Sequence, residues 1–453
     1  MAERVDCGVK YWISTASCRR SLIVLAAFLA VGFSVSSASA AEDGKTLEVQ
    51  AFRGGYGLDF FQKAAKEYEG KHPGVKITVD GNPRVWEQLI PRFADGTPPD
   101  LTWPGWGMNI WPLVFEGQLL PFDKWLDGPA DGSKKTWRQT FSPNLLVRGQ
   151  YKGKTYILPY NIDAYGIWYN KALFDQHGWK APATYEELLP LCEKIKAAHI
   201  APLTFTGRYP MYLLNGIYYP WVISIGGLDG YKNAQNLVPG AWKAPAFLEA
   251  AKRIMEMKKL GNFEAGCVGM NHTESQMELL VGRAAMIPCG TWLHAEMENL
   301  IPKGFEMTYM KTPVFANGKG DPTLIYASAD GKGWVIPTKG HNHELAADFY
   351  RYLSSPAKAK EFIETKGTLM SVIPETELHP PPHLVEPLKC MKEAKSTWAT
   401  EQQDWYPAFE TLIENSLKDM YNEMITPEQF VDILENGAAA VRNDPSITKM
   451  KVQ

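Results

Sequence analysis

The strongest structural signal in the sequence is Lys154-Thr-Tyr-Ile-Leu-Pro-Tyr-Asn-Ile-Asp-Ala-Tyr-Gly-Ile-Trp-Tyr-Asn-Lys171. Alternating isoleucine and aromatic side chains predict an extended strand pair or one long strand. Pro159 has no amide hydrogen, so this position does not belong to the centre of a fully hydrogen-bonded strand. Asp163 lies in the middle, close to Asn161 and Tyr165. One carboxylate among amide and aromatic side chains indicates a site for a hydroxyl-rich ligand. A solvated acid on a mixed edge strand is the alternative.

The residues before this stretch have the pattern of a parallel sheet. Short apolar runs predict strands at 46–51, 75–79 and 101–103, and helical spacing predicts helices over 58–68 and 84–94. Because strands and helices alternate at this spacing, we expect an α/β fold whose parallel sheet is covered by helices.

Candidate ligand contacts follow the predicted strands. Ligands of open parallel sheets bind beyond the carboxyl ends of the strands. Arg53 and Tyr56 come just after the first strand, and Trp103 and Trp106 lie at and beyond the end of the third. With Trp86 near the exit of the second strand, these side chains predict an aromatic and arginine-bearing rim. For Trp103 and Trp106, packing in the core or between domains is the alternative.

Length and charge exclude some classes of protein. The chain has 453 residues, too many for one hydrophobic core and enough for two or three domains. Its formal net charge of −3 gives no sign of the basic face that binds nucleic acid. The 15 Trp and 20 Tyr residues favour a neutral ligand.

The N-terminus has the features of a secretory signal. Arg19-Arg20 precede an apolar run at 22–33 that is too short to span a membrane stably. The small residues Ala38-Ser-Ala40 then fit a cleavage site. We expect a signal peptide at 1–40, a mature chain that begins near Ala41, and a periplasmic location.

Four cysteines remain after this segment, namely Cys192, Cys267, Cys289 and Cys390. An exported compartment permits disulfides, and four cysteines allow two bridges in three pairings. Their wide spacing matches no metal-binding knuckle, and buried thiols or one incidental bridge are the simpler interpretation.

The sequence matches several enzyme motifs only in part. Residues 149–155 are one residue short of a phosphate loop, and their flanks predict a tight hairpin turn. His343-Glu344 lacks the second histidine of a zinc-protease helix, and no Gly-x-Ser-x-Gly elbow is present. No carboxylate pair stands out for glycoside cleavage. We therefore predict no catalytic residue, no metal ligand and no cofactor.

Several segments carry a resemblance to a known family. They are Gly96-Thr-Pro-Pro-Asp-Leu101, Tyr156-Ile-Leu-Pro159 followed by Ile167-Trp-Tyr-Asn-Lys171, Gly282-Arg-Ala-Ala-Met-Ile-Pro-Cys-Gly-Thr-Trp292, and Gly333-Trp-Val-Ile-Pro337. In this order they resemble the type 1 extracellular solute-binding proteins, the sugar receptors of ABC importers that include maltose-binding proteins. The resemblance covers essentially the whole mature chain.

The resemblance implies a two-lobed periplasmic-binding-protein fold of type II, in which each α/β lobe is a sheet flanked by helices. The first lobe would take residues 41–161 and 311–355, and the second would take 162–310 and 356–453. The ligand would bind in the cleft between the lobes. The stretch 154–171 would be the first crossover between them, serving as hinge and as one wall of the cleft.

The resemblance also implies roles for individual residues. Asp163 matches an acid that binds sugar hydroxyls, and Trp292 matches a tryptophan that stacks on a sugar ring. Trp405 falls near another aromatic residue of the cleft, and Asn215 and Tyr218 would face it by approximate position.

Two departures from the maltose receptors make maltose a doubtful ligand. Gly107 stands where those receptors place an acid, and the first loop carries Arg53 and Tyr56 instead of a tryptophan.

These observations predict the substrate-binding component of a carbohydrate ABC importer, without catalytic activity. It would bind a mono- or oligosaccharide as a monomer and deliver it to a membrane permease. The alternatives are a secreted carbohydrate-active enzyme and a receptor of the same fold for a non-sugar solute.

Overall fold

In the computed structural model, which describes residues 45–329 and 332–452, a parallel sheet opens the chain. The strands of the described residues are β1 (Thr46–Ala51), β2 (Lys76–Asp80), β3 (Leu101–Trp103), β4 (Gln150–Tyr151), β5 (Lys154–Thr155), β6 (Asn161–Asp163), β7 (Gly166–Asn170), β8 (Ala201–Leu203), β9 (Ala284–Cys289), β10 (Met307–Met310), β11 (Ile325–Tyr326), β12 (Ser328–Ala329), β13 (Leu369–Met370) and β14 (Thr397–Trp398). The predicted signal peptide lies outside these residues.

The helices account for much of the remaining described chain. They are α1 (Asp59–Lys71), α2 (Trp86–Asp95), α3 (Trp111–Phe115), α4 (Asp123–Leu126), α5 (Trp137–Thr140), α6 (Pro143–Leu146), α7 (Lys171–His177), α8 (Tyr185–Ala197), α9 (Met211–Leu213), α10 (Tyr219–Gly226), α11 (Leu228–Gln235), α12 (Pro245–Lys259), α13 (His272–Leu280), α14 (Leu293–Met297), α15 (His343–Leu353), α16 (Pro356–Lys366), α17 (Val385–Glu393), α18 (Gln402–Trp405), α19 (Pro407–Tyr421) and α20 (Pro427–Asn443). Within the described chain, no helix has the length and apolar character needed to cross a membrane.

The N-terminal sheet, composed of β1, β2 and β3, has the order β2-β1-β3 with parallel pairing throughout. Leu47, Val49 and Ala51 alternate with more exposed residues along β1, so one face of this strand is buried. The strand and helix pattern predicted for this region is therefore confirmed.

The mixed sheet has the order β10-β7-β9-β8. Strand β7 runs antiparallel to β9 and β10, and β8 runs parallel to β9. All six residues of β9 are buried, as expected for a strand covered on both faces.

The connecting sheet is a short antiparallel ladder with the order β12-β6-β13. Asp163 of β6 pairs with Ser328, and Asn161 pairs with Met370. Segments that are far apart in the sequence therefore meet at β6. Along the chain, β6 comes after the N-terminal sheet and before the strands of the mixed sheet.

The stretch 154–171 is extended as predicted, and the structure divides it among three sheets. It contains β5, β6 and β7, which pair with different partners. Pro159 lies between β5 and β6, where its carbonyl accepts a hydrogen bond from Ser371 Oγ at 2.7 Å. The hairpin turn predicted at 149–155 is confirmed, because β4 and β5 form a hairpin around Lys152 and Gly153, both with positive φ.

Helix α16 packs against α1. The rings of Phe362 and Phe60 meet edge to face with centroids 4.8 Å apart, and Lys366 pairs with Asp59 at 2.6 Å. Helix α16, which precedes β13 of the connecting sheet, is therefore attached to α1 and so to the N-terminal sheet.

Candidate ligand-binding site

The candidate site begins at β6, where Asn161 and Asp163 are both buried. Asp163 is 8% exposed. Burial raises the pKa values of the Tyr165, Tyr212 and Tyr326 hydroxyls, and the negative charge of Asp163 raises them further. A protonated phenol is a hydrogen-bond donor as well as an acceptor. Three phenol groups therefore lie near this carboxyl group.

Trp292 follows β9 and joins this group. Its Nε1 donates a hydrogen bond to Tyr212 Oη at 3.1 Å, and its ring meets Tyr165 edge to face at 5.1 Å. Tyr165 also meets Tyr326 edge to face at 4.9 Å. We call these four residues the Trp292 cluster. A Cβ at Gly290 would lie 1.9 Å from the Trp292 ring, so only glycine allows the indole to fold back over the strand end.

Thr291 connects this cluster to β6. Its Oγ1 donates to the carbonyl of Ile162 at 3.3 Å and lies 3.4 Å from the amide nitrogen of Ala164. The threonine is fully buried, so these contacts are shielded from water. They keep the end of β9 beside the two polar residues of β6.

Two buried polar atoms near the Trp292 cluster have no hydrogen-bond partner within the described chain. They are Tyr165 Oη and Asn215 Nδ2. Asn215 lies one helical turn after Tyr212, and its Oδ1 accepts a hydrogen bond from Thr400 Oγ1 at 2.6 Å. Leaving such donors unpaired costs roughly 1–3 kcal/mol each, so a ligand that pairs them gains that much.

An aromatic rim extends from the loops of the N-terminal sheet. Phe52 follows β1, and its ring lies 6.2 Å from Trp86, which in turn lies 4.8 Å from Trp106. Trp106 is 57% exposed. A Cβ at Gly107 would lie 2.2 Å from the Trp86 ring, so the tryptophan packs directly on the glycine backbone. Three loops therefore present rings at the carboxyl edge of the sheet.

Trp405 lines a separate cavity of about 110 Å³. It is 9% exposed, and its Nε1 has no hydrogen-bond partner among the described residues. Trp398 also lines this cavity and meets Tyr326 edge to face at 4.9 Å, which links the cavity to the Trp292 cluster. An ion pair between Arg148 and Glu401, 3.0 Å long, forms part of the wall.

Of the residues predicted from the sequence, Trp292 belongs to the Trp292 cluster, and Asp163 lies near its three tyrosines. Asn161 lies two residues before Asp163 on β6, and Asn215 lies one helical turn after Tyr212. Trp106 lies on the exposed rim and Trp405 in the cavity just described. Arg53 is exposed on the loop after β1, where its amide donates to the carbonyl of Asn82 at 3.2 Å.

Three other predicted residues lie in hydrophobic cores. Trp103 is 1% exposed and packs between Phe52, Phe61 and Trp334. Tyr218 is fully buried and donates to the carbonyl of Phe247 at 3.1 Å. Tyr56 packs against Phe362 of α16, with ring centroids 6.0 Å apart. The structure does not bring these three to the Trp292 cluster.

Tyr212, Tyr326 and Glu296 lie in or beside the Trp292 cluster but were not among the residues predicted from the sequence. The aromatic run that contains Tyr212 is visible in the sequence, but nothing in it distinguishes the ring that reaches Trp292. Tyr326 joins the cluster through a long-range contact. Glu296 shares a helical face with Trp292 at a spacing of four residues, and that spacing was the available signal.

The four described cysteines are free thiols, and Cys289 is fully buried. Among residues 45–329 and 332–452, no group of three or more His, Cys, Asp or Glu side chains could hold a metal ion.

Two α/β layers joined by a short ladder, with rings and an acid at the ladder, are typical of two-lobed solute-binding proteins. A family model described as bacterial extracellular solute-binding protein matches residues 54–360. The chain belongs to this family, and the prediction made from its sequence motifs is confirmed.

Comparison with known proteins agrees with this assignment. A diacetylchitobiose binding protein, NgcE, from Streptomyces coelicolor is 28% identical over 322 residues, which cover 71% of this chain and 68% of that protein. A multiple sugar-binding protein from Streptococcus mutans is 23% identical over 321 residues, covering 69% of this chain and 71% of that protein. These relatives are binding proteins by name.

Solved structures confirm the predicted fold. A chitin oligosaccharide binding protein superimposes with a TM-score of 0.72 at 22% identity, covering 88% of this chain and 99% of that one. The two-lobed α/β architecture is therefore shared over nearly all of the related structure.

Proposed function

We propose that this protein is the periplasmic receptor of a carbohydrate ABC importer. It binds a mono- or oligosaccharide and delivers it to a membrane permease, acts as a monomer, and catalyses no reaction. The observation that carries this proposal is the Trp292 cluster beside Asp163, together with two buried atoms, Tyr165 Oη and Asn215 Nδ2, that have no hydrogen-bond partner among the described residues.

A pyranose ring matches this arrangement in its chemistry. Its C–H faces are apolar and pack on aromatic rings, whereas its hydroxyls form charge-assisted hydrogen bonds with a carboxylate. Buried polar groups confer specificity, since an analogue that lacks a hydroxyl leaves its partner unpaired.

We propose that the hinge between the two lobes is the connecting sheet of β6, β12 and β13. The packing of α16 on α1 supports a first lobe that extends to β13, farther along the chain than residue 355. Ligand binding would close the lobes by small backbone changes at these three strands.

We propose N-acetylated disaccharides as the first ligands to test. One relative is named for binding diacetylchitobiose and one structural neighbour for binding chitin oligosaccharides. The acetyl methyl of such a sugar requires an apolar contact, and the rings of the Trp292 cluster are apolar.

A thermal-shift screen followed by calorimetry tests the proposal. The mature chain is screened against N,N′-diacetylchitobiose, raffinose and maltose, and a binding sugar raises the unfolding midpoint because it binds only the native state. We expect diacetylchitobiose to give the largest shift. If none of the sugars shifts the midpoint or releases heat, the carbohydrate assignment is wrong.

The same preparation distinguishes a receptor from a secreted enzyme. Prolonged incubation with chitin oligosaccharides should leave them intact, and chromatography of the mixture detects any cleavage. A shorter product that accumulates with time would favour the enzyme alternative.

A further inference from the structure

Glu296 lies one helical turn beyond Trp292. Its amide donates to the Trp292 carbonyl at 3.0 Å, so the two side chains leave the helix start on the same side. The residue is exposed to solvent, whereas Leu293 and Met297 on the other side of α14 are buried. Glu296 therefore continues the surface that Trp292 begins.

A buried side chain holds the carboxyl group in place. Gln276 of α13 is fully buried, and its Nε2 donates to Glu296 Oε2 at 2.8 Å. Because an immobile amide fixes one oxygen, the other oxygen has a defined direction. A carboxylate has about four acceptor positions, and this contact occupies one of them.

The loop after β1 faces Glu296 from the N-terminal sheet. A Cβ at Gly55 would lie 3.0 Å from Glu296 Cγ, which means that the backbone of the loop touches the glutamate stem. The same loop contains Phe52, which leads to Trp86 and the exposed Trp106. Glu296 is thus located between the Trp292 cluster and the aromatic rim.

The surroundings of Glu296 are those of a cleft. The side chain is accessible to water, yet the protein around it raises the pKa of its carboxyl group by desolvation. Within the described residues no lysine, arginine or histidine forms an ion pair with it, and Gln276 is its side-chain hydrogen-bond partner. An accessible acid without a counter-charge can accept hydrogen bonds from a neutral ligand.

We propose that Glu296 binds the sugar directly, by accepting hydrogen bonds from hydroxyl or acetamido N–H groups at the edge of the ring that stacks on Trp292. This inference rests on the proposed function and adds a second acid to the site. Asp163 and Glu296 then approach the ligand from the connecting sheet and from α14, and the aromatic rim is in reach of a second sugar unit.

The test compares Glu296→Gln with Glu298→Gln in the mature chain, using N,N′-diacetylchitobiose and calorimetry. The glutamine keeps the size of the side chain and replaces a charged acceptor by a neutral one. We expect Glu296→Gln to weaken binding on the order of 10- to 100-fold, because hydrogen bonds to charged groups are the stronger ones. Glu298 is exposed two residues farther along, and its substitution should leave the affinity unchanged.

Monodeoxy analogues of the sugar separate direct contact from an effect on folding. If Glu296 binds a given hydroxyl, the analogue that lacks this hydroxyl should bind the native protein more weakly than the parent sugar does. Glu296→Gln should then reduce the affinity for this analogue only slightly, because both changes remove the same interaction. A purely structural role would lower the unfolding midpoint without ligand and weaken all analogues alike, and that result would overturn the proposal.

Trp292→Ala distinguishes this inference from the proposed function. If Trp292→Ala abolishes binding and Glu296→Gln does not change it, the role of Glu296 is wrong and the receptor assignment stands. If the native chain binds no sugar, both are wrong.

Discussion

Trp292 and Tyr212 form a hydrogen-bonded pair, with Nε1 of the indole 3.1 Å from the phenol oxygen and the two rings almost perpendicular at 85°. The bond fixes the rotation of the indole, so its face has one orientation before any ligand arrives. Tyr165 supports the same ring from another side. Less side-chain entropy is then lost when a sugar binds, and the smaller cost favours a higher affinity.

The Trp292–Tyr212 pair can be tested by two substitutions. Trp292→Ala removes the stacking surface, and we expect the affinity for the sugar to fall at least 30-fold, equivalent to about 2 kcal/mol or more for a buried tryptophan contact. Tyr212→Phe removes only the hydroxyl and should weaken binding by a smaller factor. Calorimetry measures both, and equal affinities for the native chain and Trp292→Ala would contradict this role.

Asp163→Asn tests the acid on the connecting sheet. We expect the affinity to fall on the order of 10- to 100-fold, because a charged acceptor of sugar hydroxyls becomes neutral. Asp95→Asn, at the exposed C-terminal end of α2, is the matched control and should bind sugar as the native chain does. Calorimetry with both variants is the measurement, and unchanged binding by Asp163→Asn would remove this residue from the site.

The buried carboxyl group of Glu410 should make the stability of the protein depend on pH. Burial raises the pKa of this carboxyl group to about 8 from an ordinary value of 4.5, with Glu414 and Asp404 adding repulsion. The folded state therefore holds a proton that the unfolded state releases. The free energy of unfolding should fall between pH 4.5 and pH 8, by on the order of a few kcal/mol from this group.

Urea unfolding at pH 5 and at pH 8.5 checks this prediction. Glu410→Gln cannot lose a proton, so its stability should decline less over this range than that of the native chain. Glu393→Gln, on the exposed end of α17, should follow the native profile. Identical pH profiles for Glu410→Gln and the native chain would show that Glu410 is not the group responsible.

Arg148 makes three contacts with segments that are distant in the sequence. It pairs with Glu401 at 3.0 Å, donates to Thr397 Oγ1 at 3.1 Å, and donates to the carbonyl of Ala327. Arg148→Met should destabilise the protein by about 3 kcal/mol, since a largely buried acid loses its partner. The double variant with Glu401→Gln should recover part of this loss.

Urea unfolding of the single and double variants measures the coupling. Lys171→Met is the control, because its pair with Asp175 is exposed and contributes little. If Arg148→Met and Lys171→Met were equally stable, the contacts of Arg148 would have no structural role.

The local structure of this chain was predictable to a large extent. The periodicity around Val49 and along α1 determines the N-terminal sheet and its covering helix, because burying one face of each element follows directly from the spacing of apolar residues. The extended character of 154–171 and the hairpin at Lys152 and Gly153 were also apparent from residue types. Together with its motifs, these patterns identified the family.

Contacts between distant segments were not predictable in the same way. Trp103 and Trp106 are three residues apart and equally aromatic, yet one is in the core and the other is 57% exposed. Which of them is buried depends on Phe61 and Trp334, which pack on Trp103 from other parts of the fold.

The strands, the helices and the class of protein could be predicted from the sequence, because these depend on local periodicity and on ordered motifs. Which side chains lie together in the candidate site depends on the tertiary structure. Asp163 lies near Tyr212 and Tyr326 because β6 is paired with β12 and joined to the end of β9 through Thr291. Such pairings are set by the packing of the whole chain, and no short stretch contains the information.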